Sequence, residues 1–228
     1  MTTRFENGVT NTKKHTTLGE FVALDPTQTH VFFDDFDTYA AADWTVTETS
    51  TSATQALADG DGGLLLLTNS TTDNDIVQLQ KVGESFKFEA GKKLWFKTRF
   101  KINEVLQSDM IVGLVITDTS TVAAVSDGVY FMKDDGDANI DFHVEKNSTD
   151  TTTTAVAAMV ADTFITLGFY YNGKDAIEIY VNDVKKGTSA VTNLPDDEEL
   201  TATFTLQQGE GTNAKTATID YLFAAKER

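Results

Sequence analysis

The sequence predicts an all-β fold, an antiparallel β-sandwich, on three observations. The last third of the chain reads strand, turn, strand: Thr163–Tyr171, the turn Asn172-Gly173-Lys174-Asp175, then Ala176–Val181. An Asn-Gly turn between alternating runs is the strongest short-range hairpin signal. The segment from Lys92 to Ile102 places Leu94, Phe96, Thr98, Phe100 and Ile102 on one face, and Lys93, Trp95, Lys97, Arg99 and Lys101 on the other, as a side-chain period of two requires. No long segment carries the 3.6-residue apolar period of a helix.

Each element follows in order. Residues 1–29 are polar, lack alternation and contain Asn7-Gly8 and Asp25-Pro26, which predicts an extended N-terminal arm. The sandwich domain, residues 30–228, opens at His30–Phe36, with Phe33, Phe36 and Trp44 as expected core anchors. Residues 49–62 read as a Thr/Ser/Ala/Gly-rich loop, followed by strands Leu64–Asn69 and Asp75–Lys81. After Lys92–Ile102 come a short apolar strand, Met110–Thr117, and a hairpin, Gly128–Lys133 with Ile140–Lys146, around Asp134–Asn139. Ala155–Ala161 fits either a strand or a helical turn. A second turn is expected at Asn182-Asp183, then the acidic loop Asp196–Glu199, the strand Leu200–Gln207 and a closing strand Ala217–Phe223. Leu94, Phe96, Phe100, Phe169 and Ile219, with Phe33, make the expected core.

Charge narrows the partners. A formal net charge of −17 argues against nucleic acid, whose binding depends on neutralising phosphates. No apolar run approaches the ~20 residues of a membrane helix, and Met1–Asn7 lacks the basic start and apolar centre of a signal peptide. Cysteine is absent, which excludes disulfides, thiolate nucleophiles and cysteine zinc sites.

From residue 30 to about 225 the order resembles a concanavalin A-like (laminin G-type) jelly roll. The resemblance is carried by Ile219-Asp220-Tyr221 and by the hairpin from Phe169 to Asp183, with its Ile177-Glu-Ile-Tyr-Val-Asn-Asp183 run. The opening Thr2–Asn11 and the Phe32-Phe-Asp-Asp-Phe36 segment are also similar to tailed-bacteriophage structural proteins that carry such a domain. That resemblance implies a non-enzymatic virion component, assembled in the host cytoplasm, which decorates or cements the capsid. Its partners would be the major capsid protein or other virion subunits, contacted through Arg4, Phe5, Lys13 and Lys14 of the arm. The basic face with Trp95, Lys97 and Arg99 reads as solvated outer surface or, in second place, as a patch that docks on an acidic neighbouring subunit. Sheet edges make a homo-oligomer an expectation as well. The alternative is a carbohydrate-binding module for host-surface glycans, assisted by calcium or not.

Candidate chemistry is weighed against simpler readings. Asp141, His143 and Glu145 share a strand face and resemble the Glu-x-Asp-x-Glu signature of sandwich glucanases, but depart from it at the first and middle positions. Positions i and i+4 of a straight strand are ~13 Å apart, too far for paired glycosidase carboxylates, so a solvated polar face is the expectation. Asp135, Asp137, Asn139 and Asp141 alternate like weak calcium ligands, yet Ile140 and Lys146 stand where an EF-hand needs Gly and Glu; a charged turn is expected. Trp95, Tyr170, Tyr171 and Tyr180 could build a sugar-stacking platform, against the simpler reading of tyrosines packed at strand edges. His15, His30 and His143 have no zinc-ligand spacing. No cofactor is expected beyond the calcium alternative.

Overall fold

The computed structural model describes residues 26–210 and 213–228, and within them the fold is the expected antiparallel sandwich. The strands, in chain order, are β1 (Thr29–Asp34), β2 (Trp44–Glu48), β3 (Thr54–Ala58), β4 (Leu64–Thr68), β5 (Ile76–Lys81), β6 (Leu94–Ile102), β7 (Ser108–Val115) and β8 (Gly128–Lys133). They continue with β9 (Asn139–Lys146), β10 (Thr149–Ala158), β11 (Ile165–Tyr171), β12 (Ile177–Val181), β13 (Val184–Ser189), β14 (Thr201–Gln208) and β15 (Thr216–Glu227). One sheet runs β10-β9-β8-β7-β14-β5-β2; the other runs β13-β12-β11-β6-β15-β4-β3, with β1 also paired to β15. No helix among the described residues is long and apolar enough to cross a membrane.

The two sheets meet through the alternation seen in sequence. Leu94, Phe96, Thr98, Phe100 and Ile102 of β6 are all buried, and so are Leu167 and Phe169 of β11, Ile219 of β15, and Ile140, Phe142 and Val144 of β9. Phe96 stacks on Phe169 at 5.2 Å, and Phe169 in turn meets Phe142 at 5.7 Å. Phe142 then packs edge-on against Phe131 at 5.0 Å. This aromatic chain crosses from one sheet to the other. Offset and edge-on ring pairs of this kind add about 0.5–1.5 kcal/mol each beyond the area they bury.

Tight turns set the register. Gly173 has φ +79°, a conformation glycine adopts without steric cost, while Asn172 Oδ1 accepts the Lys174 and Asp175 N–H groups at 2.8 and 3.0 Å. Asn182 and Asp183, both at positive φ, form the two-residue link from β12 to β13, as primed hairpin turns demand.

Two expectations change, one open reading is settled and one strand is new. Phe33 is not a core anchor: it is 57% exposed, because in β1 it is Phe32 that points inward, edge-on to Trp44 at 5.9 Å. The stretch 49–62, read as a loop, contains β3, held by pairing with the apolar β4. Ala155–Ala158 is strand, the end of β10, with Ala155 at φ 53° beside a register shift in its pairing with β9. The strand β13 after Asn182-Asp183 was not anticipated, since Val184–Ser189 is mostly exposed and scarcely alternates. The arm candidates Arg4, Phe5, Lys13 and Lys14 lie outside the described residues, as does His15.

Candidate functional site

The two outer faces of the sandwich differ. On the seven-stranded sheet, Gln78, Gln80, Thr203 and Thr205 point away from the core yet have no exposed surface, because residues 116–127 lie over them. Gln78 Nε2 donates to the Asp118 carbonyl at 2.6 Å, and Gln78 Oε1 accepts from the Thr121 N–H and hydroxyl at 3.1 and 2.9 Å. Gln80 Oε1 accepts the Asp118 N–H at 3.0 Å, while its Nε2 donates to the Ile116 carbonyl at 3.1 Å. Two glutamine side chains thus substitute for the ladder bonds this loop lacks.

Farther along that face stand Asp141, His143 and Glu145, opposite the buried Ile140, Phe142 and Val144. One atom of each side chain has a partner. Asp141 Oδ1 accepts the Ala155 N–H at 2.7 Å, His143 Nδ1 meets Asp150 Oδ2 at 2.8 Å, and Glu145 Oε2 accepts the Tyr130 hydroxyl at 2.6 Å. Burial raises the Glu145 carboxyl above its ordinary value, with the Tyr130 hydrogen bond pulling the other way.

The weak calcium candidates are dispersed. Asp137 caps Asn139 through its N–H at 2.9 Å, Asp141 turns toward Ala155, and the Asp135 N–H is held by Asp109 at 2.7 Å. A cation does occupy this corner, but it belongs to the chain. Lys133, 1% exposed, donates to the Ser108 carbonyl and to those of Asp134 and Asp137 at 3.0 and 3.2 Å. Burial lowers its pKa, opposed by Asp109, Asp135 and Asp134. No cluster of three or more metal-ligating side chains occurs among the described residues.

Among the described residues the outer face of the eight-stranded sheet is uncovered, and there three of the expected platform residues converge. Cross-strand pairing aligns Trp95 with Tyr170 and, one row on, Lys97 with Gly168 and Gly168 with Tyr180. Trp95 stacks on Tyr170 at 5.4 Å with 26° between planes. Gly168 has no side chain, so the row dips between Lys97 and Tyr180 and leaves a cavity of about 390 Å³ walled by Trp95, Tyr170, Tyr180 and Phe223. That volume lies within the ~300–1,000 Å³ of small-molecule sites. Tyr171, the fourth platform candidate, is buried in the core at 2% exposure, since its neighbour Tyr170 takes the outward position.

Polar groups border the hollow. Lys97 Nζ pairs with Asp183 at 2.5 Å, so the Asn182-Asp183 turn delivers a carboxylate to the rim. Burial alone would lower the Lys97 ammonium, but Asp183 and Tyr221 hold it above the ordinary lysine value. Glu178 accepts from Lys185 at 2.6 Å and from the Tyr180 hydroxyl at 2.5 Å. These two donors, Lys185 foremost, lower the Glu178 pKa. The basic stripe read from sequence is therefore matched within the chain: Arg99 pairs with Asp220, and Lys101 lies 5.3 Å over the Phe164 ring. Sequence reasoning named Trp95, Tyr170 and Tyr180 but missed Gly168 and Phe223, whose roles depend on which residues face them across the sheet.

Comparison with known proteins places this geometry. A search of the curated proteins finds no match. Among solved structures, an endo-1,3-β-glucanase from Streptomyces sioyaensis superposes with a TM-score of 0.65 at 14% identity, covering 90% of this chain and 99% of that one. Peanut lectin gives 0.57 at 11% identity, over 87% of this chain and 97% of the lectin. A protein of unknown function from Shewanella oneidensis MR-1, SO2946, gives 0.62 at 17% identity, over 88% and 87%. At these identities the likeness is one of fold: a concanavalin A-like jelly roll, shared by lectins and by glycoside hydrolases. The model of one family, described as the SO2946-like, C-terminal domain, matches residues 61–220, from the loop before β4 into β15, and the chain belongs to that family.

Proposed function

We propose that the protein is a non-enzymatic glycan-recognition domain whose binding site is the hollow above Gly168. The observation that carries this reading is the combination of aromatic walls, Trp95, Tyr170, Tyr180 and Phe223, with the polar rim of Lys97, Glu178 and Asp183 around one cavity. Sugar rings have apolar faces and hydroxyl edges, and such a site offers aromatic surface and hydrogen-bonding groups together. Solved neighbours that act on or bind sugars lend support at the level of the fold. The non-enzymatic part is supported by the departure of Asp141-Phe-His143-Val-Glu145 from the Glu-x-Asp-x-Glu signature, with one oxygen of Glu145 on Tyr130 and one of Asp141 on Ala155.

The virion role that the resemblance to tailed-bacteriophage structural proteins implies joins this reading. Residues 1–29 would attach the domain to the particle, and the aromatic face would meet the host's surface polysaccharide. The test is a glycan array followed by calorimetry on the hits. Binding that disappears in Trp95→Ala, with the fold intact by circular dichroism, supports the proposal; no hit on any glycan class, with and without calcium, rejects it.

A further inference from the structure

We infer that the ligand is a neutral, linear polysaccharide, bound along its interior and lying across the strands from Tyr180 to Phe33. The inference rests on the glycan reading of the hollow and names the class of glycan. The hollow continues at one end. Its wall residue Phe223 is the cross-strand partner of Phe33, which is 57% exposed and the most exposed aromatic among the described residues. Phe33 lies 6.5 Å from Phe223 and 6.2 Å from Tyr221, ring centre to ring centre. An unbroken row of outward positions thus runs Phe33, Phe223, Lys97, Gly168, Tyr180.

This row crosses four strand spacings of ~4.8 Å, about 19 Å in all. A single sugar ring would fill the hollow and leave Phe33 bare. A chain of several rings would cover the whole row, with one aromatic contact at each end and Gly168 giving room between them. The exposure of Phe33 has no counterpart in the packing of the core, because Phe32 already supplies the inward side chain of β1.

Charge selects the class. Lys97 is matched by Asp183, Glu178 by Lys185, and Arg99 by Asp220. Among the described residues the cations at the hollow are therefore matched, and Lys101, which faces the Phe164 ring instead of a carboxylate, stands two rows beyond it. The net charge of −17 repels polyanions over distances of a Debye length, ~8–10 Å at ordinary salt. A cationic glycan would gain from that field but would find both rim carboxylates already paired.

The experiment is calorimetry of the full chain with three oligosaccharide series, each from disaccharide to hexasaccharide. The neutral series comprises laminari-, cello- and manno-oligosaccharides; the others are alginate and chitosan oligosaccharides. The expected result is neutral binding that tightens with length, with Phe33→Ala weakening the hexasaccharide by about tenfold and leaving the disaccharide unchanged. Phe33→Trp should keep the length dependence, and Trp95→Ala should lose all lengths. Equal affinity at every length, indifferent to Phe33, overturns the strip and leaves the hollow as the site. Tighter binding of alginate or chitosan overturns the neutral class. Failure of all three series to bind overturns this inference and the glycan reading together.

Discussion

Trp95 and Tyr170 occupy paired positions on β6 and β11 and stack at 5.4 Å, so one wall of the hollow is a two-ring slab rather than two independent side chains. Truncation of one ring should therefore affect the other. Trp95→Ala is expected to cost about 1 kcal/mol of stability from the lost stack, with a further loss for its buried area. Urea denaturation measures that cost. The Tyr170 ring should gain rotational freedom, visible as narrowed ring signals in NMR.

Lys133 takes the place that a bound cation would have among the carbonyls of Ser108, Asp134 and Asp137. Lys133→Met keeps the apolar stem and removes the ammonium. It should destabilise the fold by about 2–4 kcal/mol, because buried acceptors lose their donor. Calcium should not raise the melting temperature of the wild-type protein, since the acidic side chains nearby cap backbone groups in different directions. A rise of several degrees on adding calcium would contradict this.

The loop over the seven-stranded sheet depends on two side chains. Gln78→Leu leaves the Asp118 carbonyl and the Thr121 N–H without their partners, a loss of about 1–3 kcal/mol. Hydrogen exchange should then accelerate at Ile116–Asp127 and stay slow in the core strands β7 and β14. Uniform acceleration across both sheets would show that the loop is part of the global unfolding unit.

Stability should fall in alkali. Burial raises the pKa of Tyr39, Tyr130, Tyr171 and Tyr221, and the Glu178 hydrogen bond does the same for Tyr180. A group whose folded pKa lies above its unfolded value stabilises the fold below the unfolded pKa. That contribution is lost as pH rises through the folded value. For tyrosine the window opens near pH 10, the ordinary value of its hydroxyl. Lys133, with its lowered pKa, acts in the opposite sense but is a single group. Thermal melts between pH 8 and about 11.5 should show a decline starting near 10, accompanied by the tyrosinate absorbance change.

The sandwich itself was legible because its signals are local. Leu94–Ile102 alternates so regularly that its inner and outer faces could be assigned without a partner strand, and Asn172-Gly173 fixes its own hairpin. Phe33 was misplaced because two adjacent phenylalanines leave the phase of the alternation open; only pairing with β15 decides that Phe32 goes in. The hollow was half visible. Trp95, Tyr170 and Tyr180 are conspicuous aromatics, but Gly168 matters only as the gap between Lys97 and Tyr180, a register that sequence spacing does not state. Nothing in the sequence sets Lys133 apart from other charges beside a turn, and its burial follows from the fold of the turn around it.

The position of β15 has a consequence for the time the protein takes to fold. This strand lies in the middle of its sheet, bonded to β6 on one side and to β4 and β1 on the other. The Thr98 hydroxyl, inside β6, donates to the Tyr221 carbonyl 123 residues away. Until that late segment arrives, β6 has β11 on one side and an unpaired edge on the other. Loop closure over such distances is slow in β-proteins, so the nascent chain waits with a half-built sheet whose open edge is an invitation to foreign strands.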